Sequence, residues 1–183
     1  MQDTIKETID NLGKNHMAGY YVESVPQLHE LLQKLMPERQ IVGCGDSVTL
    51  EQTGVYEYVR NHHYNFLDKH QEGLGHEEKR ELYLKNFRAD TFLTGINAVT
   101  VDGKLFNIDG NGSRVAPIIY GPRQAIAVVG TNKIVKSVDD AILRTRQIAA
   151  PLDAKRLGKE TPCTKLGGVL IVIILSGFAM ISY

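Results

Sequence analysis

Two glycine-punctuated stretches carry side chains that could bind or transform a small anion. The first is Gly43-Cys44-Gly45-Asp46-Ser47-Val48-Thr49. It stands where a short apolar run, QIVGC, should hand over to a helix. Glycines let a backbone turn tightly and approach a ligand. A helix start offers free N–H groups and a partial positive charge, which suit phosphate or carboxylate. Gly45, Ser47 and Thr49 are therefore candidate ligand-binding residues, the last two as hydroxyl donors. The plainer alternative is a β–α turn in which Ser47 caps the helix. The second stretch is Asn107-Ile108-Asp109-Gly110-Asn111-Gly112-Ser113-Arg114. It sets a carboxylate, amides and a guanidinium on a tight backbone, and arginine can grip a carboxylate or phosphate with two parallel bonds. Asp109 and Arg114 are the catalytic candidates, with Gly110 and Asn111 as ligand contacts. The alternative is a turn in which Asp109 and Asn111 hydrogen-bond their own backbone.

Asn97, in Thr94-Gly95-Ile96-Asn97, and Asn132 with Lys133 stand at expected strand ends, where open α/β sheets form their binding crevice. His62, His63, His70 and His76 fit no compact zinc spacing. Cys44 at a helix start could be activated, but a buried thiol is the expectation. GCGDSV does not complete the dinucleotide-binding G-x-G-x-x-G pattern, so no nicotinamide or flavin site is read.

The surrounding segments predict elements that would position these residues. Residues 3–17 carry Ile5, Ile9 and Leu12 at helical spacing, with Asp3 as the cap. AGYYVES (18–24) reads as a short strand. VPQLHELLQKLMPE puts Leu28, Leu31, Leu32 and Leu35 on one helical face, and Pro26 suits its first turn. SVTLEQTGVYEYVRN reads as one helix from Ser47, YNFLD as a strand, and HEEKRELYLKNF as a charged helix. DTFLTG is a strand, and NAVTVDGKLFNID a hairpin around Asp102-Gly103. GNGSRVAPIIYGP is a loop opening into a short helix limited by Pro117 and Pro122. QAIAVVGTN reads as a buried strand and SVDDAILRTRQIAA as a capped helix. Strands alternating with helices predict an α/β layered domain with a mostly parallel sheet and one antiparallel hairpin.

Bulk properties narrow the function classes. The 183 residues suit a single folded core. Lys plus Arg and Asp plus Glu are 21 each, a net charge of zero. With no basic stripe, nucleic-acid binding is not expected. Cys44 and Cys163 do not make a disulfide framework, and no secretory segment precedes the first helix. The main body reads as cytoplasmic, with no membrane association expected.

With these segments in hand, the chain resembles the LUD (lactate-utilisation) domain family from about residue 1 to Cys163. The resemblance rests on GDSVTL, YNFLD, ADTFLTGINAVTVDGKLFNIDGNGSRVA, GPRQAIAVVGTNKIV and AAPLDAKRLGKETPC. It implies a Rossmann-like fold similar to that of sugar-phosphate isomerases and CoA transferases. It also implies a part in oxidising lactate to pyruvate beside iron–sulfur partner proteins. The positions matching the family's loops are Gly45, Ser47, Thr49, Asn97, Asp109, Gly110, Asn111, Arg114, Asn132 and Lys133.

The C-terminus departs from that resemblance. Relatives continue past TPC into a tail of the form DC-x-x-P-x-R-x-C-N, whereas no charged residue follows Lys165 here. Back-translating Gly168–Tyr183 with suitably chosen permitted codons and reading two bases later returns GVDCNHPERICNDFL, the family tail. The expectation is therefore a domain over 1–165 followed by an aberrant, frameshifted apolar tail over 166–183. A membrane anchor or a buried final strand are the rival readings of that tail. No metal is expected in this form; the restored tail would add thiolates suited to iron–sulfur or zinc. The functional expectation is a LUD-family protein of lactate or 2-hydroxy-acid utilisation that binds a small anion, with an iron–sulfur redox partner and homo-oligomerisation left open. The alternatives are a sugar-phosphate isomerase- or CoA transferase-like enzyme, in which Asp109 would be the general base, and a non-catalytic ligand-binding subunit.

Overall fold

The computed structural model describes residues 2–156 and Gly158. Cys163 and the apolar tail over 166–183 lie outside the described residues. The chain forms two compact units.

One unit comprises residues 21–95 and 109–130. Its strands are β1 (Ile41–Cys44), β2 (Asn65–Phe66), β3 (Thr91–Thr94) and β6 (Gln124–Ala127), all parallel in the order β2-β1-β3-β6. Its helices are α2 (Val25–Leu35), α3 (Val48–Gln52), α4 (Val55–Arg60), α5 (His76–Lys85) and α6 (Val115–Ile119). Cys44 lies opposite Leu93, and Val42 opposite Thr91, so these side chains share one sheet face. Leu28, Leu32 and Met36 from the α2 segment, with Leu50, Val55 and Val59, join Val42, Cys44 and Leu93 in the core. Burial of such aliphatic side chains is the main favourable term in folding. Ser24 caps α2 by accepting from the Gln27 amide, and Pro26 sits in the first turn as expected.

Three sequence expectations are corrected. The helix expected from Ser47 onward is two helices, because Gly54 takes the left-handed conformation at φ 65° between them. AGYYVES forms no strand: residues 17–22 are irregular, and Tyr20 and Tyr21 are exposed. With no partner strand beside it among the described residues, an extended segment gains no ladder bonds. QAIAVVGTN is an edge rather than a buried strand. Among the described residues β6 pairs only with β3, and Ala125 and Ala127 face out.

The other unit comprises residues 2–20 and 96–108 and the described residues from 131 onward. Helix α1 (Gln2–Lys14) accompanies a second sheet of β4 (Ala98–Thr100), β5 (Leu105–Phe106) and β7 (Ile134–Val135), ordered β5-β4-β7. β4 and β5 are the antiparallel hairpin expected at Asp102-Gly103, and β7 pairs parallel to β4. Ala98, Phe106 and Ala141 form its small core, with Ile108, Val135 and Ile142 against them. Helix α7 (Val138–Arg144) is capped by Ser137, whose hydroxyl accepts from the Asp140 amide at 3.1 Å. A π-helical turn, Thr145–Ala149, leads into α8 (Ala150–Arg156). The architecture is thus α/β with a parallel sheet and a small mixed one. No helix among the described residues is long and apolar enough to cross a membrane.

Candidate functional site

Strand order singles out the carboxyl ends of β1 and β3 in the larger unit. From β1 the chain moves to β2 on one side, then crosses to β3 on the other. In open α/β sheets the loops diverge at such a reversal, leaving a crevice at the strands' carboxyl ends. Gly45 and Ser47 leave β1 there. The Gly45 amide donates to the Leu93 carbonyl of β3 at 2.9 Å. Ser47 Oγ accepts from the Leu50 amide at 3.3 Å and so caps α3, while Thr49 is half-buried in that helix.

Tyr56, eleven residues on, holds this turn in shape. Its hydroxyl donates to the Gly45 carbonyl at 2.9 Å and accepts from the Ser47 amide at 3.1 Å. Tyr56→Phe leaves both backbone groups without that partner. The expected loss is about 1–3 kcal/mol, the cost of unsatisfied buried polar groups, measured by urea denaturation followed by circular dichroism.

The second glycine loop meets the first. A β-carbon placed on Gly45 would lie 2.7 Å from Arg114 Cγ, so the arginine's aliphatic stem rests directly on the β1 turn. Only a residue without a side chain permits that approach. Asp109 Oδ2 accepts from the amides of Arg114, at 2.8 Å, and Val115, at 3.0 Å. Its Oδ1 lies 3.6 Å from Arg114 Nε. Asn111 Oδ1 accepts from the Ser113 amide at 3.1 Å. The two side chains therefore shape their own loop. Gly110 and Asn111 are exposed on it.

The fold adds residues that the sequence reading passed over. Lys69 is buried, its side chain 4% exposed, and its Nζ lies 3.0 Å from Asp46 Oδ2. The same ammonium stands 5.1 Å from the centre of the Tyr83 ring. His70 Nε2 is 3.8 Å from Asp46 Oδ1, and its imidazole packs on Tyr56 with ring centres 4.7 Å apart. Asp68 anchors this segment: it accepts from Arg60 Nε at 2.7 Å and from the His70 amide at 2.9 Å. The signal available in the sequence was Asp68-Lys69-His70 directly after YNFL, a charged triplet at a strand's carboxyl end.

Electrostatics tie the two loops together. Burial raises the Tyr83 hydroxyl above its ordinary value, and Asp46, Cys44 and Asp109 add to the rise. Tyr83 therefore feels charge from both glycine loops. Burial also pushes the Cys44 thiol up to about 12, against the pull of Lys69. Cys44 is a core residue and an unreactive thiol. Burial lowers the His70 imidazole below 6.5 despite the opposing charge of Asp46.

The remaining candidates belong to the other unit. Asn97 Oδ1 accepts from the Ile108 amide at 2.9 Å, and the Asn97 amide donates to Asn107 Oδ1 at 3.2 Å. This pair ties the residues flanking the hairpin. Asn132 and Lys133 lie in the 3₁₀ turn Thr131–Lys133 before β7, with Asn132 exposed. Among the described residues no three His, Cys, Asp or Glu side chains gather as metal ligands. Their donor set, with Cys44 as its single thiol, does not fit an iron–sulfur cluster, which needs a group of thiolates.

Comparison with known proteins agrees with this architecture. The LUD domain profile matches residues 5–177. No curated protein matches the chain. Among solved structures, the crystal structure of a DUF162 family protein from Deinococcus radiodurans, at 1.70 Å resolution, superposes with a TM-score of 0.50. It is 17% identical, and the match covers 86% of this chain and 82% of that one. At that identity the likeness speaks for the fold, while the domain match spans nearly the whole sequence: the chain belongs to the LUD domain family.

Proposed function

We propose that this LUD-family protein serves lactate utilisation by binding a small 2-hydroxy or 2-oxo carboxylate at the carboxyl ends of β1 and β3. The observation that carries the reading is the meeting of Gly45 and Arg114, 69 residues apart in sequence, at the strand-order reversal. Arg114 supplies a guanidinium for the carboxylate, and Asp109 positions it. Ser47 and Thr49 supply hydroxyls, and Gly110 and Asn111 line the exposed side. The reading draws on this unit alone; Asn97, Asn132 and Lys133 are not needed for it. Oxidising lactate to pyruvate releases two electrons and two protons. In this reading the electrons pass to a separate iron–sulfur partner protein in the cytoplasm, and the protein's own residues hold the acid and take up protons.

A thermal-shift panel tests the reading. Lactate or pyruvate at about a hundred times its dissociation constant should add about 2.7 kcal/mol of stability. Arg114→Ala should weaken binding by about 10- to 100-fold, the worth of a charge-assisted bond, and cut the stabilisation at the same ligand concentration to about 0.4–1.4 kcal/mol. An undiminished shift in Arg114→Ala assigns binding to another loop. Stabilisation by sugar phosphates or coenzyme A instead of lactate would favour an isomerase- or transferase-like activity. The Asp46–Lys69–His70 group, with its exchangeable protons, would suit that alternative.

A further inference from the structure

We propose that His70, oriented by Asp46 and Lys69, is the residue that accepts the 2-hydroxyl proton of the bound hydroxy acid. The inference rests on the carboxylate-binding reading above. Its basis is a chain of contacts. Lys69 is buried and fixes Asp46 through a 3.0 Å ion pair. The second oxygen of Asp46 faces His70 Nε2 at 3.8 Å. Such distances are long for a hydrogen bond and shorten when a catalytic complex assembles. With Nε2–H turned to the carboxylate, Nδ1 keeps its lone pair as the base. Tyr56 makes the arrangement local to the site, because one side chain packs the His70 ring and bonds the Gly45–Ser47 turn. A base oriented by a carboxylate is the recurrent arrangement for taking a hydroxyl proton.

Other groups at the site are less suited to this role. Asp109 Oδ2 already accepts two amides. Asp46 is committed to Lys69. Burial holds the Cys44 thiol and the Tyr83 hydroxyl protonated. His70 has its side chain 32% exposed, open to both ligand and solvent. The charges that face it are Asp46 and Asp68, which favour the imidazolium, and Lys69 and Arg60, which oppose it. Burial tips the balance, and the ring is neutral near pH 7, the form a base requires. In the step, the substrate O–H bond breaks, its electron pair stays on oxygen, and Nδ1–H forms. Asp46 and Lys69 are positioning residues.

Side-chain ¹⁵N NMR of the six histidines tests this, with His70→Gln assigning the signal. The expected free protein shows His70 neutral as the Nε2–H tautomer, titrating below 6.5. Asp46→Asn should mix the tautomers and lower that midpoint further. Lys69→Met serves as the second variant should Asp46→Asn fail to fold. Adding lactate at about its wild-type dissociation constant should shift the His70 signals in wild type and far less in Arg114→Ala. If lactate moves the Gly45 and Ser47 amides but leaves His70 unchanged, the role of His70 is wrong and the binding reading stands. If neither lactate nor pyruvate moves any signal, the binding reading fails and takes this inference with it. A His70 found protonated at Nδ1 alone also overturns the assignment.

Discussion

Gly103→Ala is expected to lower stability by about 3 kcal/mol, the sum of a left-handed-backbone penalty and an overpacking penalty. Gly103 closes the β4–β5 hairpin at φ 81°, a conformation that L side chains avoid. A β-carbon there would lie 2.6 Å from the Asn11 carbonyl carbon and 2.7 Å from both the Asn11 oxygen and the Leu12 nitrogen. These are backbone atoms of α1, so no rotamer change relieves the clash. The turn cannot swing away cheaply either. Asn11 Nδ2 donates to the Val101 carbonyl at 2.9 Å, and Asn15 Nδ2 to the carbonyls of Asp102 and Gly103 at 3.1 and 3.0 Å. A loss of that size corresponds to a melting-temperature drop of about 10 °C for a chain of this length. Urea denaturation of Gly103→Ala beside Gly110→Ala measures it. Gly110 has open space around it and an ordinary backbone, so its variant should stay within about 0.5 kcal/mol of wild type. Equal stabilities for the two variants would contradict the packing of this hairpin beneath α1.

Arg60→Ala carries an effect of similar size and adds a pH signature. Asp68 is 5% exposed and accepts from Arg60 Nε at 2.7 Å and Nη2 at 3.3 Å. Removing the guanidinium strands a buried carboxylate. Breaking one side of such a pair costs about 3–5 kcal/mol when both charges are buried. The partial exposure of Arg60 places this one near the lower end. Burial acts to raise the Asp68 carboxyl, but the Arg60 hydrogen bond and the His70 amide outweigh it and hold it below 3.8. The folded state therefore binds the proton less readily than the unfolded chain. The contribution is present in full above the ordinary carboxylate range and is lost as pH falls through it toward the lower folded value. In Arg60→Ala burial acts without that opposition, and Asp68 takes up its proton at higher pH. The stability gap between variant and wild type should be widest near pH 7 and close below about pH 4. Urea midpoints across that range decide the matter, and a gap independent of pH would mean the pair is not the source.

Local chemistry was readable in the sequence wherever a few neighbouring residues settle the outcome. Ser47 and Ser137 cap the helices they precede, because a cap needs only a hydroxyl and the next turn's amides. The Asp102-Gly103 turn, the α/β alternation and the long motifs of the LUD family are local in the same sense. The self-bonding of Asp109 and Asn111 was one of the two outcomes that loop chemistry allowed. Tertiary structure decided what depends on distant partners. It placed β1 and β3 at the centre of the parallel sheet and β6 at its edge, and it set the β4–β5 hairpin in a sheet apart. It left AGYYVES without a strand to pair with among the described residues. It also brought Lys69 and His70 to Asp46, and Arg114 to Gly45. The physical reason is the same throughout. Helix caps and turns are satisfied within a few residues, whereas strand order, burial and the partner of a charged side chain emerge only when segments far apart in the chain compete for one core.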